Sequence, residues 1–330
     1  MHALKSNTTS LILGFLKQKQ GEYISGEHIC QILGISRCAV WKHVTKLKKM
    51  GYEIDAKHNC GYLLHHSVDP FNYYEMQEAL DKKKFGQTIY FFKTVESTNK
   101  FATNIALKGG KEGEIIVTNA QSKGKGRLGR IWESPPDKNI YISIILRPDI
   151  LPNDAPKLTL VAAVALAETL HNTLNLPVEI KWPNDILYKG RKLAGILTEL
   201  SSEIDRVNFV ILGIGINVNW AKEDFPQDLR KKVTSLLEIT GRIQKRVIIV
   251  KNLLESLEKW YNLFLSKGFT PIAEKWNKYA NIKGRRAEIT LLNKKITGKI
   301  LQIDTDGALL LETKNKKIER IVAGDVTFLS

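Results

Sequence analysis

Three short segments combine residue types that could do chemistry on an anionic substrate. The first is Gln121-Ser-Lys-Gly124-Lys125-Gly126-Arg127-Leu128-Gly129-Arg130-Ile131-Trp132. Gly124, Gly126 and Gly129 reproduce the spacing of a dinucleotide fingerprint, but that motif needs a helix opening at its third glycine. Pro135-Pro136 follows too soon for a long helix. It is not a phosphate-binding P-loop either, since no Gly-Lys-Ser/Thr follows at the right spacing. What remains is a flexible turn whose backbone N–H groups can approach an anion while Lys123, Lys125, Arg127 and Arg130 neutralise it. The plain alternative is a solvated basic loop. Two arginines interleaved with glycines directly after a strand favour anion binding. The second segment is Lys181-Trp182-Pro183-Asn184-Asp185. A lysine at a strand end is usually exposed. Here Ile180 and Trp182 flank it, so it is expected to be partly buried and held where it could stabilise charge between a carboxylate and an α-phosphate. The third, Gly213-Ile-Gly215-Ile-Asn217-Val-Asn219, puts glycines in a strand where a ligand or backbone comes close. That signal is weak by itself.

These segments need elements to position them. Strand-like runs fall at Ile89–Phe92, Glu114–Thr118, Ile140–Leu146, Val178–Trp182, Ile186–Tyr188, Leu193–Leu200 and Val207–Ile216. Helical patterns fall at Thr98–Leu107, Ala155–Leu174 and Lys245–Phe264. Several strands follow one another with only turns between, so the class is α+β with a mixed sheet rather than a repeated βαβ unit. Short strands at Ala287–Leu292, Lys299–Asp304, Ala308–Glu312 and Ile318–Val322, with turns at Asn293-Lys294-Lys295 and Asp306-Gly307, predict a small C-terminal antiparallel barrel.

The first 66 residues have a different pattern. Leu11, Leu13, Phe15 and Leu16 mark a first helix. Ser25 can cap a second, carrying Ile29, Ile32 and Leu33 on one face, and Ser36 a third, carrying Val40, Val44 and Leu47. Gly51 stops the third helix, and Tyr52–Leu64 reads as two strands around Lys57-His58-Asn59. Helix, glycine turn, helix and β-wing make a winged helix-turn-helix. Arg37, Lys42, His43 and Lys46 are expected to face outward, with Lys42 and His43 reaching phosphates or base edges. A small helical domain with a solvated charged face is the duller reading.

Composition sets limits. The 330 residues suggest two or three domains, and the net charge of +16 favours polyanionic partners. The excess is spread: residues 1–66 carry +5, as do residues 276–330. No apolar run approaches membrane-spanning length, and residues 1–10 do not read as a signal peptide. Cys30, Cys38 and Cys60 are an odd, sparse set that points to a reducing compartment. A zinc site from His58, Cys60, His65 and His66 fits no standard spacing, so structural cysteines and exposed histidines are preferred.

Taken together, the motifs closely resemble the bacterial biotin–protein ligases of the bifunctional type, which double as biotin operon repressors. The resemblance spans nearly the whole chain. It rests on Ser97-Thr98-Asn99, Gly124–Trp132, Lys181–Asp185, Arg191–Leu197, Gly213–Asn217 and Asp306–Leu311. Lys125 and Leu128 stand where the family loop has arginines; Lys125 loses the bidentate fork and Leu128 loses a cation.

The resemblance implies a winged helix at 1–66, a catalytic domain at 67–275 (with a linker and short helix at 67–85) and an SH3-like β-barrel at 276–330. It implies adenylation of biotin by ATP with magnesium, then transfer to a lysine of a biotin carboxyl carrier protein. Lys181 and Arg127 are the implied catalytic residues. Ser97, Thr98, Asn99, Gln121, Lys125, Gly126, Arg127, Lys181 and Gly195 would surround biotin. Gly124, Arg127, Arg130, Trp132 and Asn217 would serve the nucleotide, and residues 218 to about 230 would order over it. Ser36, Arg37, Lys42 and His43 would meet operator DNA. A cytoplasmic protein that dimerises on binding biotinyl-AMP is implied, while the metal ligands stay open. Two rivals remain: a ligase for another acid such as lipoate, and a ligand-sensing repressor without catalysis.

Overall fold

The computed structural model describes residues 8–65, 69–80, 84–291 and 294–329. Residues 1–7, His66, residues 67–68 and 81–83 of the 67–85 linker region, Leu292 and Asn293, which figure in the sequence reading, lie outside the described residues. The chain divides into two compact units, Met1–Ala79 and Leu80–Ser330.

The first unit contains α1 (Thr8–Gln18), β1 (Tyr23–Ile24), α2 (Gly26–Leu33), α3 (Arg37–Lys49), β2 (Ile54–Lys57), β3 (Gly61–Leu64) and α4 (Tyr73–Ala79). The expected caps form. Ser25 Oγ accepts from His28 N, Ser36 Oγ accepts from Ala39 N, and Gly34 ends α2 in the left-handed region. Ile12, Leu13, Leu16, Ile29, Val40, Val44 and Leu47 build the core. Ile32, expected on the buried face of α2, is 47 % exposed instead; this eight-residue helix has only Ile29 fully inside. The strands pair antiparallel in the order β1-β3-β2. Gly61 is required at the wing: a Cβ there would collide with Ile24 O, and its φ is +107°. Helix α4, which the sequence reading assigns to the catalytic domain, packs within this unit. Tyr52 Oη donates to Glu75 at 2.5 Å, and Lys17 of α1 pairs with Glu75 and Glu78.

The second unit is built on a seven-stranded mixed sheet. Its strands are β4 (Ile89–Phe92), β5 (Ile115–Thr118), β6 (Ile140–Leu146), β7 (Glu179–Lys181), β8 (Asp185–Tyr188), β9 (Arg191–Ser202) and β10 (Val207–Ile216), in the order β4-β5-β6-β10-β9-β8-β7. Only β4 and β5 pair in parallel. Helix α5 (Thr98–Leu107) lays Ala102 and Ala106 on Ile116, Ile145, Phe209 and Ile211. Helices α6 (Lys157–Leu174) and α8 (Arg246–Lys267) pack together, and α6 is buried along most of its length. Helices α7 (Leu236–Thr240) and α9 (Thr270–Ala280) were not foreseen.

The C-terminal part is a five-stranded antiparallel sheet of β11 (Arg286–Thr290), β12 (Lys295–Ile303), β13 (Leu309–Thr313), β14 (Ile318–Ile321) and β15 (Asp325–Phe328), in the order β14-β13-β12-β11-β15. The last strand, absent from the sequence reading, brings this sheet to the site described next. Among the described residues no helix is long and apolar enough to cross a membrane.

Candidate active site and nucleic-acid interface

The three chemistry-bearing segments converge. One cavity of ≈ 300 Å³ is lined by residues from the start of α5, the Gly124–Trp132 loop, Lys181–Asp185 and the glycines of β9 and β10.

One end of the cavity is neutral and polar. Ser97 caps α5, accepting from Lys100 N at 3.5 Å. Thr98 N and Thr98 Oγ1 both donate to Gln121 Oε1, at 2.9 and 3.2 Å, while Gln121 Nε2 donates to Ser134 Oγ at 3.0 Å. Asn99 Nδ2 donates to Glu199 Oε2 at 2.7 Å. Beneath them, the fully buried Ser143 Oγ lies 2.7 Å from Thr98 Oγ1 and 2.6 Å from Asn99 Oδ1. Ser143 was missed by sequence reasoning, because a single serine in the run Ile140–Leu146 looks like any strand residue. Gly213 makes room for this cluster: a Cβ there would collide with Asn99 Oδ1.

The other end is cationic. The Gly124–Trp132 loop is a hairpin-like excursion closed by Trp132 N donating to Gly124 O at 3.0 Å and Gly126 N donating to Arg130 O at 2.8 Å. At its tip Arg127–Gly129 form one 3-10 turn, in place of the helix a dinucleotide fingerprint would open. Leu128 takes the left-handed region (φ 56°, ψ 33°) and is 72 % exposed, so the residue standing in for a family arginine points its bulk at solvent. Gly124 lies outside the cavity lining. It is needed for closure of the loop, since a Cβ there would run into Trp132 O.

Arg127 is held by three acceptors: Asn184 Oδ1 and Asp325 Oδ1, each at 3.2 Å, and Gly324 O at 3.3 Å. Arg130 reaches the other oxygen of the same Asp325 carboxylate. Asp325, on β15, is thus a central residue of the site that no motif announces, because the strand carrying it was not recognised. Asn184 fixes the loop from the opposite direction, with Nδ2 donating to Ile196 O at 2.8 Å.

Lys181 ends β7 half-buried in the cavity wall, with Nζ 6.0 Å from the Phe328 ring centroid. Burial pulls its pKa below the ordinary lysine value. Lys192 and Arg130 push the same way, and Asp185 and Asp325 oppose them. Lys192 Nζ lies 2.7 Å from Asp185 Oδ1 and 5.2 Å above the Trp132 ring. That ring rests against two glycines: a Cβ on Gly215 would be 2.5 Å from it, and one on Gly195 3.0 Å. Trp132 Nε1 has no acceptor among the described residues. Trp182 is a packing residue, 3 % exposed, donating from Nε1 to Gly307 O at 3.1 Å.

Asn217 does not line the cavity. It is buried, donating from Nδ2 to Thr234 O at 3.0 Å and from N to Leu193 O at 3.0 Å, so it braces β9 to the segment before α7. In the 218–230 segment, Lys222–Asp224 form a 3-10 turn, and Arg230 donates to Phe225 O and Glu223 O.

In the N-terminal unit Ser36 is engaged as the cap of α3, Lys42 is exposed, and Arg37 is exposed beside Glu27 at 2.9 Å. His43 departs from expectation. It is half-buried, with Nδ1 2.8 Å from Thr9 Oγ1 of α1, and burial and Lys46 hold its pKa below the usual imidazole value. It therefore turns toward α1 rather than outward, and is neutral near pH 7. His65 pairs with Asp55 at 2.9 Å, the three cysteines are free, and no group of three His, Cys, Asp or Glu among the described residues is placed to hold a metal.

A winged helix, a mixed sheet with a glycine–arginine loop over a lysine, and a C-terminal antiparallel sheet define the class, and three family models match in that order. They are an HTH domain at residues 8–63, the biotin/lipoate A/B protein ligase family at 91–217, and the biotin protein ligase C-terminal domain at 284–329. The chain belongs to the biotin–protein ligase family. It is 39 % identical over 323 residues to the bifunctional ligase/repressor BirA of Bacillus subtilis (strain 168), covering 98 % of this chain and 99 % of that one. It is 31 % identical over 309 residues to the protein of the same name from Escherichia coli (strain K12), covering 94 % of each. Among solved structures, the biotin protein ligase from Aquifex aeolicus in complex with biotin and ATP matches with a TM-score of 0.65 and 29 % identity, over 74 % of this chain and 99 % of that one.

Proposed function

We propose that this chain is an ATP-dependent biotin–protein ligase that also binds DNA as a repressor of biotin genes. The observation that carries the reading is the meeting of Lys181 with the glycine–arginine loop in one cavity. Cations facing both a carboxylate and a phosphate favour the joining of an acid to a nucleotide. The names of the relatives, and the biotin and ATP held by the Aquifex protein, support this choice of acid and nucleotide.

Biotin is neutral except for its carboxylate. Its ureido ring suits the polar end formed by Thr98, Asn99 and Gln121, with Ser97, Lys125, Gly126 and Gly195 completing the wall. Lys181 sits between the biotin carboxylate and the α-phosphate. Arg127 and Arg130 take phosphate oxygens, and Trp132 offers its face to adenine. Gly124 acts by closing the loop. Asn217 acts through the backbone it braces, and residues 218–230 close over the nucleotide.

In the first step a carboxylate oxygen attacks the α-phosphorus and pyrophosphate leaves, giving biotinyl-AMP. In the second, the neutral amine of a lysine on a biotin carboxyl carrier protein attacks the acyl carbon, and AMP leaves. The Lys181 ammonium stabilises the oxygens that gain charge in both steps. Magnesium, when bound, would supply charge neutralisation on the triphosphate. Among the described residues, the carboxylates lining the cavity are Asp185 and Asp325, and each is engaged by cations. The residues therefore fit a magnesium that arrives on the phosphates, not one caged by the protein.

As a repressor, the chain dimerises when biotinyl-AMP is bound, and the pair occupies operator DNA in the cytoplasm. The adenylate must bind the dimer-competent state more tightly for this to work. Biotin-dependent exchange of labelled pyrophosphate into ATP tests the enzyme reading, with lipoate as the competing acid. No exchange with biotin would refute it, as would equal exchange with lipoate.

A further inference from the structure

Trp41 is the most exposed aromatic side chain among the described residues of the N-terminal unit. Helix α3 buries Val40, Val44 and Leu47 in that unit's core. Trp41 follows Val40 at about 100° around the helix, off that stripe. It is 58 % exposed, the most exposed of the chain's six tryptophans. Leaving an indole this exposed forgoes much of its burial gain, so packing against the described residues of this unit does little to account for it.

The surroundings indicate what Trp41 meets. Arg37 lies one turn before it, Lys42 next to it, and Lys48 two turns after it, all exposed. The helix also carries Lys46 and Lys49 and has no carboxylate. With His43 turned toward Thr9, Trp41 and Lys42 are the outward residues of that turn. Such a cationic helix complements a polyanion, and as the third helix of a winged helix-turn-helix it presents its first turns to base edges in the major groove. Cations serve phosphates and guanine acceptors there. The apolar group displayed by the major groove is the thymine 5-methyl.

We infer that Trp41 reads thymine through its 5-methyl group, giving α3 an apolar, base-specific contact beside the phosphate contacts of its lysines. The inference rests on the DNA-binding reading above.

The test uses the full chain with biotin and ATP. Duplexes are selected from a randomised pool, and each thymine of the selected site is then replaced singly by deoxyuridine, which removes only the methyl. At one or two positions the wild-type protein loses affinity about threefold to tenfold. Trp41→Ala binds the thymine duplex more weakly by a similar factor and does not distinguish uracil from thymine there. Trp41→Phe keeps part of the discrimination. Unchanged biotin-dependent pyrophosphate exchange and circular dichroism establish that the variants are folded. Trp41→Ala retaining the wild-type sensitivity to uracil would overturn the inference. So would an equal loss on thymine and uracil duplexes at every position, which marks a backbone or protein contact. If the wild-type protein selects no sequence, the DNA-binding reading itself falls, and the inference with it.

Discussion

At the scale of single residues, the site depends on how Lys181 and Asp325 manage charge. Burial lowers the pKa of Lys181 below the ordinary lysine value. The ammonium that the proposed reaction uses is therefore lost as pH rises through a range where a free lysine would stay charged. The alkaline limb of kcat/KM for adenylation is expected to fall earlier than an exposed lysine would allow. A bound carboxylate and phosphate favour the ammonium, so the limb of kcat should lie at higher pH than that of kcat/KM. Lys181→Arg should abolish the limb along with most of the activity, and pH profiles of pyrophosphate exchange check both statements. Asp325 occupies both loop arginines with one carboxylate. Asp325→Asn should free the loop tip, so trypsin cleaves after Arg127 and Arg130 about threefold to tenfold faster in the absence of ligands. Unchanged cleavage would mean that the loop is held by its own turn. Lys181 was legible in the sequence because apolar neighbours on a strand end foretell burial. Asp325 was not, since an ion pair across 195 positions leaves no local pattern.

At the scale of elements, glycine and tryptophan fit together in the half of the cavity proposed for the nucleotide. The rings of Trp132 lie where a side chain on Gly215 would be. Gly215→Ala should push the indole off the sheet, cost about 1–3 kcal/mol of stability, and raise the KM for ATP more than that for biotin. Thermal unfolding and exchange kinetics would report the two effects separately. The glycines were visible as a sign of close approach, but not what approached them, because periodicity along β10 says nothing about a loop reaching it from residue 132. The long strands and helices were read within a few residues: Ile89–Phe92, Ile140–Leu146 and Val207–Ile216 stand as expected. Helix α7 and strands β1 and β15 are too short for a pattern to emerge, whereas α9 carries a legible stripe, Ile272, Ala273, Trp276 and Ala280, that the sequence reading omits. His43 was misjudged because a helical wheel places a residue at an angle and cannot see Thr9 on another helix.

At the scale of the whole molecule, the net charge of +16 is shared between a unit suited to a polyanion and a unit suited to small ligands. Salt should separate them. DNA affinity is expected to fall steeply with ionic strength, by about 0.9 in the logarithmic slope for each phosphate neutralised. Lys42→Ala should reduce that slope by about 1, the share of a single phosphate. Pyrophosphate exchange, whose cations work in a partly buried cavity, should change little over the same range. Equal salt sensitivity of both activities would contradict this division. The carboxylate on β15 has a consequence for descent as well. An altered charge at position 325 disturbs two arginines nearly two hundred residues upstream, so the tail and the loop must be inherited as a matched set. A chimera that takes its C-terminal sheet from a distant relative should regain full speed only when the loop is exchanged with it.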